Sequence, residues 1–185
     1  MLRKQSFIHF TDQLFLDSID KVYELAPKVE VATSSDKDPN NARVSDVSWI
    51  DANENSQELF QEIYNFAMGA NKQGGWEFEA GIVEPLQFTE YKVGQRYDWH
   101  VDHMIGELED TVRKISFSIL LNDDFEGGEF QFEVGSPAKE ERIYTVDLKK
   151  GDLLFFPSYQ WHRVLPVTKG VRHSLVGWVR GPQWK

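Results

Sequence analysis

Apolar residues recur at Phe15, Ile19, Val22 and Ala26 within Thr11 to Ala26, the stripe of an amphipathic helix, and Pro27 supplies its stop. Between Val31 and Ser48 the period is lost. The run Thr33-Ser34-Ser35-Asp36-Lys37-Asp38-Pro39-Asn40-Asn41 is polar and turn-rich, and reads as a loop rather than an element. A second helical stripe follows through Leu59, Ile63, Phe66 and Ala70, with Asn55 or Ser56 placed to cap its start and Gly74-Gly75 to close it. From Trp76 the pattern shortens to apolar or alternating runs between turn residues. These are Phe78 to Val83, Leu86 to Tyr91, Trp99 to Asp102, Ile115 to Leu121, Glu129 to Val134, Ile143 to Leu148, Leu153 to Phe156, His162 to Pro166 and His173 to Val179. Short strands after a helical lead-in predict a mainly β chain with N-terminal helices. The expected architecture is a jelly roll, two antiparallel sheets face to face with the helices buttressing one of them. No repeat or linker divides the chain, so residues 1–185 read as one domain, with a lead-in over 1–75 and the jelly-roll core over 76–185.

Composition narrows the partners. The 185 residues carry 20 Lys plus Arg against 30 Asp plus Glu, a net charge of -10, which disfavours phosphate backbones and anionic lipid surfaces. Nucleic acid is therefore disfavoured as a partner, and no apolar run reaches the ~18 residues of a membrane span. A soluble cytoplasmic protein is the expectation. With no Cys in the chain, any metal must be held by imidazole and carboxylate.

Those ligand types occur together. His100-Val-Asp102 places two ligands at alternate positions of a predicted strand, where they share one face. Such a pair arises easily by chance, but His162 adds a second imidazole. Two imidazoles and a carboxylate are the facial triad of non-haem Fe(II) sites, which leaves positions open for a chelating cosubstrate and O2. On the last strand Arg172, Ser174, Val176 and Trp178 share a face. A guanidinium and a hydroxyl two residues apart suit a carboxylate.

In these blocks the chain resembles the Fe(II)/2-oxoglutarate-dependent dioxygenases, and more narrowly the prolyl 4-hydroxylase-like branch that includes bacterial PKHD-type hydroxylases. The matching pieces are Tyr91-x-x-Gly94-x-x-Tyr97-x-x-His100-x-Asp102, Arg113-Lys-Ile-Ser116 with Leu120-Leu-Asn122, Gly127-Gly-Glu129-Phe, Gly151-Asp-Leu, and His162-Arg-Val-x-Pro-Val-Thr-x-Gly170-x-Arg172. They run in order over residues 85–180. The resemblance implies a double-stranded β-helix and His100, Asp102 and His162 as iron ligands. It implies Arg172 as partner of the distal carboxylate of 2-oxoglutarate, Ser174 and Tyr91 as its helpers, and Trp178 as a bulky neighbour of the cosubstrate. It further implies O2 and a peptide or small-molecule substrate, hydroxylation of an unactivated C–H bond with release of succinate and CO2, and ascorbate as an auxiliary reductant. One departure is that some prolyl hydroxylases add a Tyr hydroxyl from the strand here written Phe117-Ser-Ile-Leu-Leu, which offers Ile119 and Leu120 instead. A drier cosubstrate pocket, more dependent on Arg172, is the expectation.

Other readings differ at named positions. A nucleic-acid demethylating oxygenase of the same superfamily keeps Asn at the place of Ser174 and a second Arg at the place of Trp178. A cupin favours His-x-His where this chain has His100-x-Asp102. A non-catalytic jelly-roll binding module has no need of Arg172. His9, His103 and His173 read as packing or surface residues, Gly127-Gly128 as a hairpin turn, Phe130 and Phe132 as core, and Glu107, Glu109 and Asp110 as a solvated face. The pattern does not bear on oligomeric state.

Overall fold

In the computed structural model, residues 4–33, 42–103, 110–135, 138 and 140–184 are described. The strands are β1 (Ile8–Phe10), β2 (Glu30–Thr33), β3 (Arg43–Ile50), β4 (Ile82–Val83), β5 (Leu86–Tyr91), β6 (Arg96–His100), β7 (Thr111–Leu120), β8 (Glu126–Gly127), β9 (Phe130–Glu133), β10 (Ile143–Val146), β11 (Leu153–Pro157), β12 (His162–Val164), β13 (Val167–Lys169) and β14 (Arg172–Pro182). Two helices, α1 (Ile19–Leu25) and α2 (Gln57–Gln73), precede most of them.

Antiparallel pairing runs in the order β1-β11-β7-β14-β5-β3-β6-β12-β9-β10, with β2 on β3, β4 on β14, and β8 and β13 as a separate ribbon. This curled, mainly β sheet is the expected jelly roll. Strand alternation gives it two cores. Leu153, Phe155, Ile115, Phe117, Ile119, Leu175 and Val179 face outward onto α2, whose Leu59, Phe60, Ile63, Ala67 and Ala70 close the layer. Leu154, Phe156, Phe130, Phe132, Val146, Val164 and Tyr91 face inward, between the two halves of the curl. Phe130 and Phe132 are core, as expected.

The α2 prediction holds from Ser56 to Gly74, though the Ser56 hydroxyl donates to the Asp51 carbonyl rather than capping the helix. The first helix is shorter than expected. Asp12 and Gln13 take left-handed φ of 66° and 57°, the Gln13 N–H donates to the buried Asp152 carboxylate, and regular α-helix begins only at Ile19. Ala26 is extended, as a residue before proline prefers.

The larger correction concerns the stretch from Val31 to Ser48. Both its ends are strands, β2 and β3, and β3 lies between β5 and β6 in the sheet. The lead-in thus supplies part of the β-structure. Its polarity masked it, because β3 buries Ser45, Asp46 and Ser48. Asp46 is held by the Lys92 ammonium and the Gln95 amide, and Ser45 accepts from Arg43 Nε at 2.9 Å. Residues 34–41, the centre of the expected loop, lie outside the described residues, as does 104–109. Of the expected strand Phe78 to Val83 only Ile82–Val83 pairs, and that of Trp99 to Asp102 ends at His100. No helix among the described residues is long and apolar enough to cross a membrane.

Candidate active site

Strands β6 and β12 are antiparallel neighbours, and His100 pairs directly with His162. Their rings lie 4.1 Å apart between centroids. Asp102 reaches them from the bend just past β6 rather than from the strand itself. Its N–H and that of His103 both donate to the Ser158 carbonyl, at 2.9 and 3.0 Å, which anchors the bend to the end of β11. His100 Nε2 is 3.7 Å from Asp102 Oδ1, and His162 Nε2 is 3.6 Å from Asp102 Oδ2. The three residues offer ligand atoms within 4.8 Å of one another. Bonds of about 2.1 Å would set such atoms about 3 Å apart around an ion, so only a small inward movement is needed.

Both imidazoles are oriented for ligation. His100 Nδ1 donates to the Asp98 carbonyl at 2.7 Å and His162 Nδ1 to the Gln160 carbonyl at 2.9 Å, which leaves each Nε2 with a lone pair toward Asp102. Tyr97 stacks on His100 with centroids 3.5 Å apart, while Phe130 lies parallel to His162 at 5.5 Å and Phe156 tilts over it at 4.6 Å. Burial and then the nearby His162 push the His100 pKa down to about 3, so this imidazole is neutral at physiological pH. Burial works against the Asp102 charge, but His162 and His100 hold its carboxyl below the usual range. The Ser116 hydroxyl and the Trp178 indole add to that, although the indole N–H closes no hydrogen bond of regular geometry. These protonation states are the ones a divalent metal requires. The donor set, oxygen and nitrogen without sulfur, fits Fe(II).

A cavity of about 260 Å³ opens from this cluster, with Tyr91, Arg172, Ser174, Val176 and Trp178 in its lining. Arg172 is 1% exposed, and its Nε and Nη1 meet no hydrogen-bond partner among the described residues. Burial brings its pKa down to about 10, still a cation. The buried Ser174 hydroxyl, two residues along the same face, is also unpartnered among the described residues. Tyr91 pairs with Arg172 across β5 and β14, and its ring centroid is 5.8 Å from the guanidinium. Burial raises the Tyr91 hydroxyl and keeps it protonated, with Arg43 and Arg172 working the other way. Unsatisfied buried donors cost about 1–3 kcal/mol each, more when charged. Donors aimed into a cavity are accounted for by an anionic ligand.

The expected residues therefore converge: His100, Asp102 and His162 form the cluster, and Arg172, Ser174, Tyr91 and Trp178 share its cavity. His173 points to the opposite face, where its Nδ1 meets the Tyr23 hydroxyl at 2.9 Å. His9 lies on β1 and bonds Asp152 at 3.0 Å. In place of the absent Tyr hydroxyl, β7 presents Ser118 to the cavity.

Other lining residues were given no site role from sequence, among them Arg43, Trp49, Gln87, Tyr97 and Arg113. Arg43 and Trp49 lie in or beside the stretch read as loop. Tyr97 carried a signal, its place three residues before His100 in the motif. Arg113 stacks on Trp178 at 3.7 Å and is gripped by Glu84 through Nε at 2.9 Å and Nη2 at 2.7 Å.

The family comparison agrees with this geometry. Residues 86–180 match the model of the 2OG-Fe(II) oxygenase superfamily, just over half of the chain, and the chain belongs to that family. It is similar to PKHD-type hydroxylases. One from Gloeothece citriformis is 38% identical over 100 residues, 53% of this chain and 43% of the relative. One from Idiomarina loihiensis is 40% identical over 101 residues, 53% and 43% respectively. The chain thus spans less than half the length of these relatives. Among solved structures, the viral collagen prolyl hydroxylase of Paramecium Bursaria Chlorella virus-1 superposes with a TM-score of 0.69 at 18% identity, covering 96% of this chain and 97% of that one. A Pseudomonas putida prolyl-4-hydroxylase gives 0.68 at 20% identity, covering 96% and 94%. At these identities the likeness is one of fold.

Proposed function

We propose that this chain hydroxylates an unactivated C–H bond of a prolyl or similar amino-acid residue, with oxidative decarboxylation of 2-oxoglutarate to succinate and CO2. His100, Asp102 and His162 would hold Fe(II), and Arg172, with Ser174 and Tyr91, the distal carboxylate of 2-oxoglutarate. Residues 1–185 act as one catalytic domain. The observation that carries this reading is the buried Arg172, its Nε and Nη1 unsatisfied among the described residues, in the same cavity as a His-Asp-His cluster. An apolar surrounding is costly for a lone guanidinium, and a cosubstrate carboxylate balances it.

When bound, iron and 2-oxoglutarate supply the oxidising chemistry. The chain's own residues supply position. The carbonyls of Asp98 and Gln160 fix both imidazoles, and Phe130, Phe156 and Tyr97 exclude water from their faces. Tyr97, Trp178 and Arg113 line the cavity with two aromatic walls and a donor. Such walls suit a small saturated ring with an adjoining amide, which supports a prolyl or similar substrate. Ascorbate serves as an auxiliary reductant.

The test uses Fe(II) and 2-oxoglutarate added anaerobically to the purified protein, read as the visible metal-to-ligand charge-transfer band. The band is expected in the parent, absent in His162→Ala, and restored in Arg172→Ala only at much higher 2-oxoglutarate. A folded, iron-loaded protein with no band overturns the reading. Succinate release stimulated by proline-containing peptides, with and without ascorbate, then tests substrate and reductant.

A further inference from the structure

Gly128 lies outside the cavity lining, yet its missing side chain is what lets Arg172 occupy its place. The residue has φ +67°, and its N–H donates to the Pro166 carbonyl at 3.1 Å, which locks it at the end of the β8–β13 ribbon. A Cβ there would lie 2.8 Å from Arg172 Cδ, 3.1 Å from Val167 Cγ2 and 3.6 Å from Phe125 Cε2. The nearest of these atoms is the methylene that carries Nε, one of the two unsatisfied donors. Relief to ordinary contact, which begins near 3.4 Å, requires that Cδ or the ribbon retreat by at least about 0.6 Å. Arg172 is 1% exposed and its open side is the cavity, so a retreat of Cδ carries the guanidinium into the space the cosubstrate carboxylate would take. A displacement of that size spoils a fork-shaped contact with a carboxylate.

We propose that Gly128 is a positioning residue for the cosubstrate-binding arginine, so that this hairpin turn also sets the geometry of the cosubstrate site from behind Arg172. This rests on the reading of Arg172 as the 2-oxoglutarate anchor, but the contact itself can be tested without that reading.

The experiment compares Gly128→Ala with Gly94→Ala, which has an equally left-handed φ of +84° but open space around its Cβ. Each is made in the parent and in an Arg172→Ala background, where the clashing methylene is gone. Three quantities are measured: the melting temperature of the metal-free protein, its Fe(II) affinity, and the 2-oxoglutarate concentration that half-saturates the anaerobic charge-transfer band. The expected result is that Gly128→Ala raises the half-saturating concentration tenfold or more and leaves Fe(II) affinity within twofold. Gly94→Ala should leave 2-oxoglutarate and Fe(II) binding unchanged and carry only the melting penalty of an alanine at positive φ. In the Arg172→Ala background the melting penalty of Gly128→Ala should shrink to that of Gly94→Ala.

Equal penalties in both backgrounds, or unchanged 2-oxoglutarate binding in Gly128→Ala, would overturn the inference. Should Gly128→Ala fail to fold, recovery of folding by Arg172→Ala supports it, and failure of the double variant overturns it. A parent without any band contradicts the proposed function instead, and the thermal comparison still decides the contact.

Discussion

His100 and His162, paired across β6 and β12, use the same device: each Nδ1 donates to the carbonyl two residues earlier in the chain, Asp98 on β6 or Gln160 in the turn before β12. The rings are therefore fixed by backbone, which side-chain substitution cannot remove. Metal affinity should then depend on the ligand atoms themselves. Asp102→Ala and His162→Ala are expected to weaken binding of Mn(II), a redox-stable stand-in for Fe(II), by about 100-fold or more, whereas Gln160→Ala should change it little. Calorimetric titration of the three variants measures this.

Arg172 makes a prediction of unusual sign. Its burial depresses the guanidinium to about 10 without removing the charge, so the metal-free, cosubstrate-free protein carries a desolvated cation. Arg172→Met, similar in length and apolar, should raise the melting temperature of that form, the equivalent of roughly 1–3 kcal/mol. Added 2-oxoglutarate with Mn(II) should stabilise the parent further and the variant much less. Thermal melts with and without 2-oxoglutarate check both parts.

The metal-free protein should lose stability in mild acid. His100 titrates near 6.5 when unfolded and is pushed down to about 3 when folded, so across that window the unfolded chain binds more protons. Burial lowers His173 as well, and its contribution has the same sign. The His100 contribution is full above about pH 6.5 and falls as pH drops toward 3, by up to about 1.4 kcal/mol per unit. Asp102, depressed relative to the unfolded chain, adds loss of the same sign only below the ordinary aspartate range. Urea midpoints at pH 7, 6 and 5 test this, and a flat profile would contradict it.

Glu84 holds more than one partner. Besides its two contacts to Arg113 it accepts from Arg180 Nη1 at 3.0 Å, and Arg113 in turn lies on the Trp178 ring. Glu84→Ala should cost about 2–4 kcal/mol, since it strips a two-pronged partner from a half-buried arginine. It should also alter the near-ultraviolet circular dichroism of the tryptophans. Glu84→Gln, which keeps one acceptor oxygen, should recover part of both.

Much of the site was legible in sequence because strand alternation is a local property. Arg172, Ser174, Val176 and Trp178 share a face simply because β14 is regular, and the spacing showed it. Tyr91 and His162 are brought in by pairing with distant strands, which spacing alone does not reveal; there the ordered motif of the family resemblance carried the information. Asp102 was placed on a strand because His-x-Asp alternates, but it works from a bend that the Ser158 carbonyl holds. The least legible element was β3. Its Ser45, Asp46 and Ser48 are buried yet polar: Asp46 is held by Lys92 and Gln95 from another segment, Ser45 accepts from Arg43 on the same strand, and the Ser48 hydroxyl has no partner among the described residues. A hydrophobic pattern cannot report a strand whose buried side chains are this polar. Arg43 and Trp49 stayed hidden with it.

The position of β3 bears on how this protein can be dissected. Residues 86–180, the stretch that matches the family, contain every proposed ligand, yet in that stretch β5 and β6 have no shared neighbour, since the strand that joins them comes from residues 43–50. The matched segment expressed alone would leave the seam beside Tyr91 and Tyr97 open to water, with α2 missing from the opposite layer. Sequence homology and the physical boundary of the folding unit do not coincide here, and the shortest piece that keeps the curl closed must begin before Arg43.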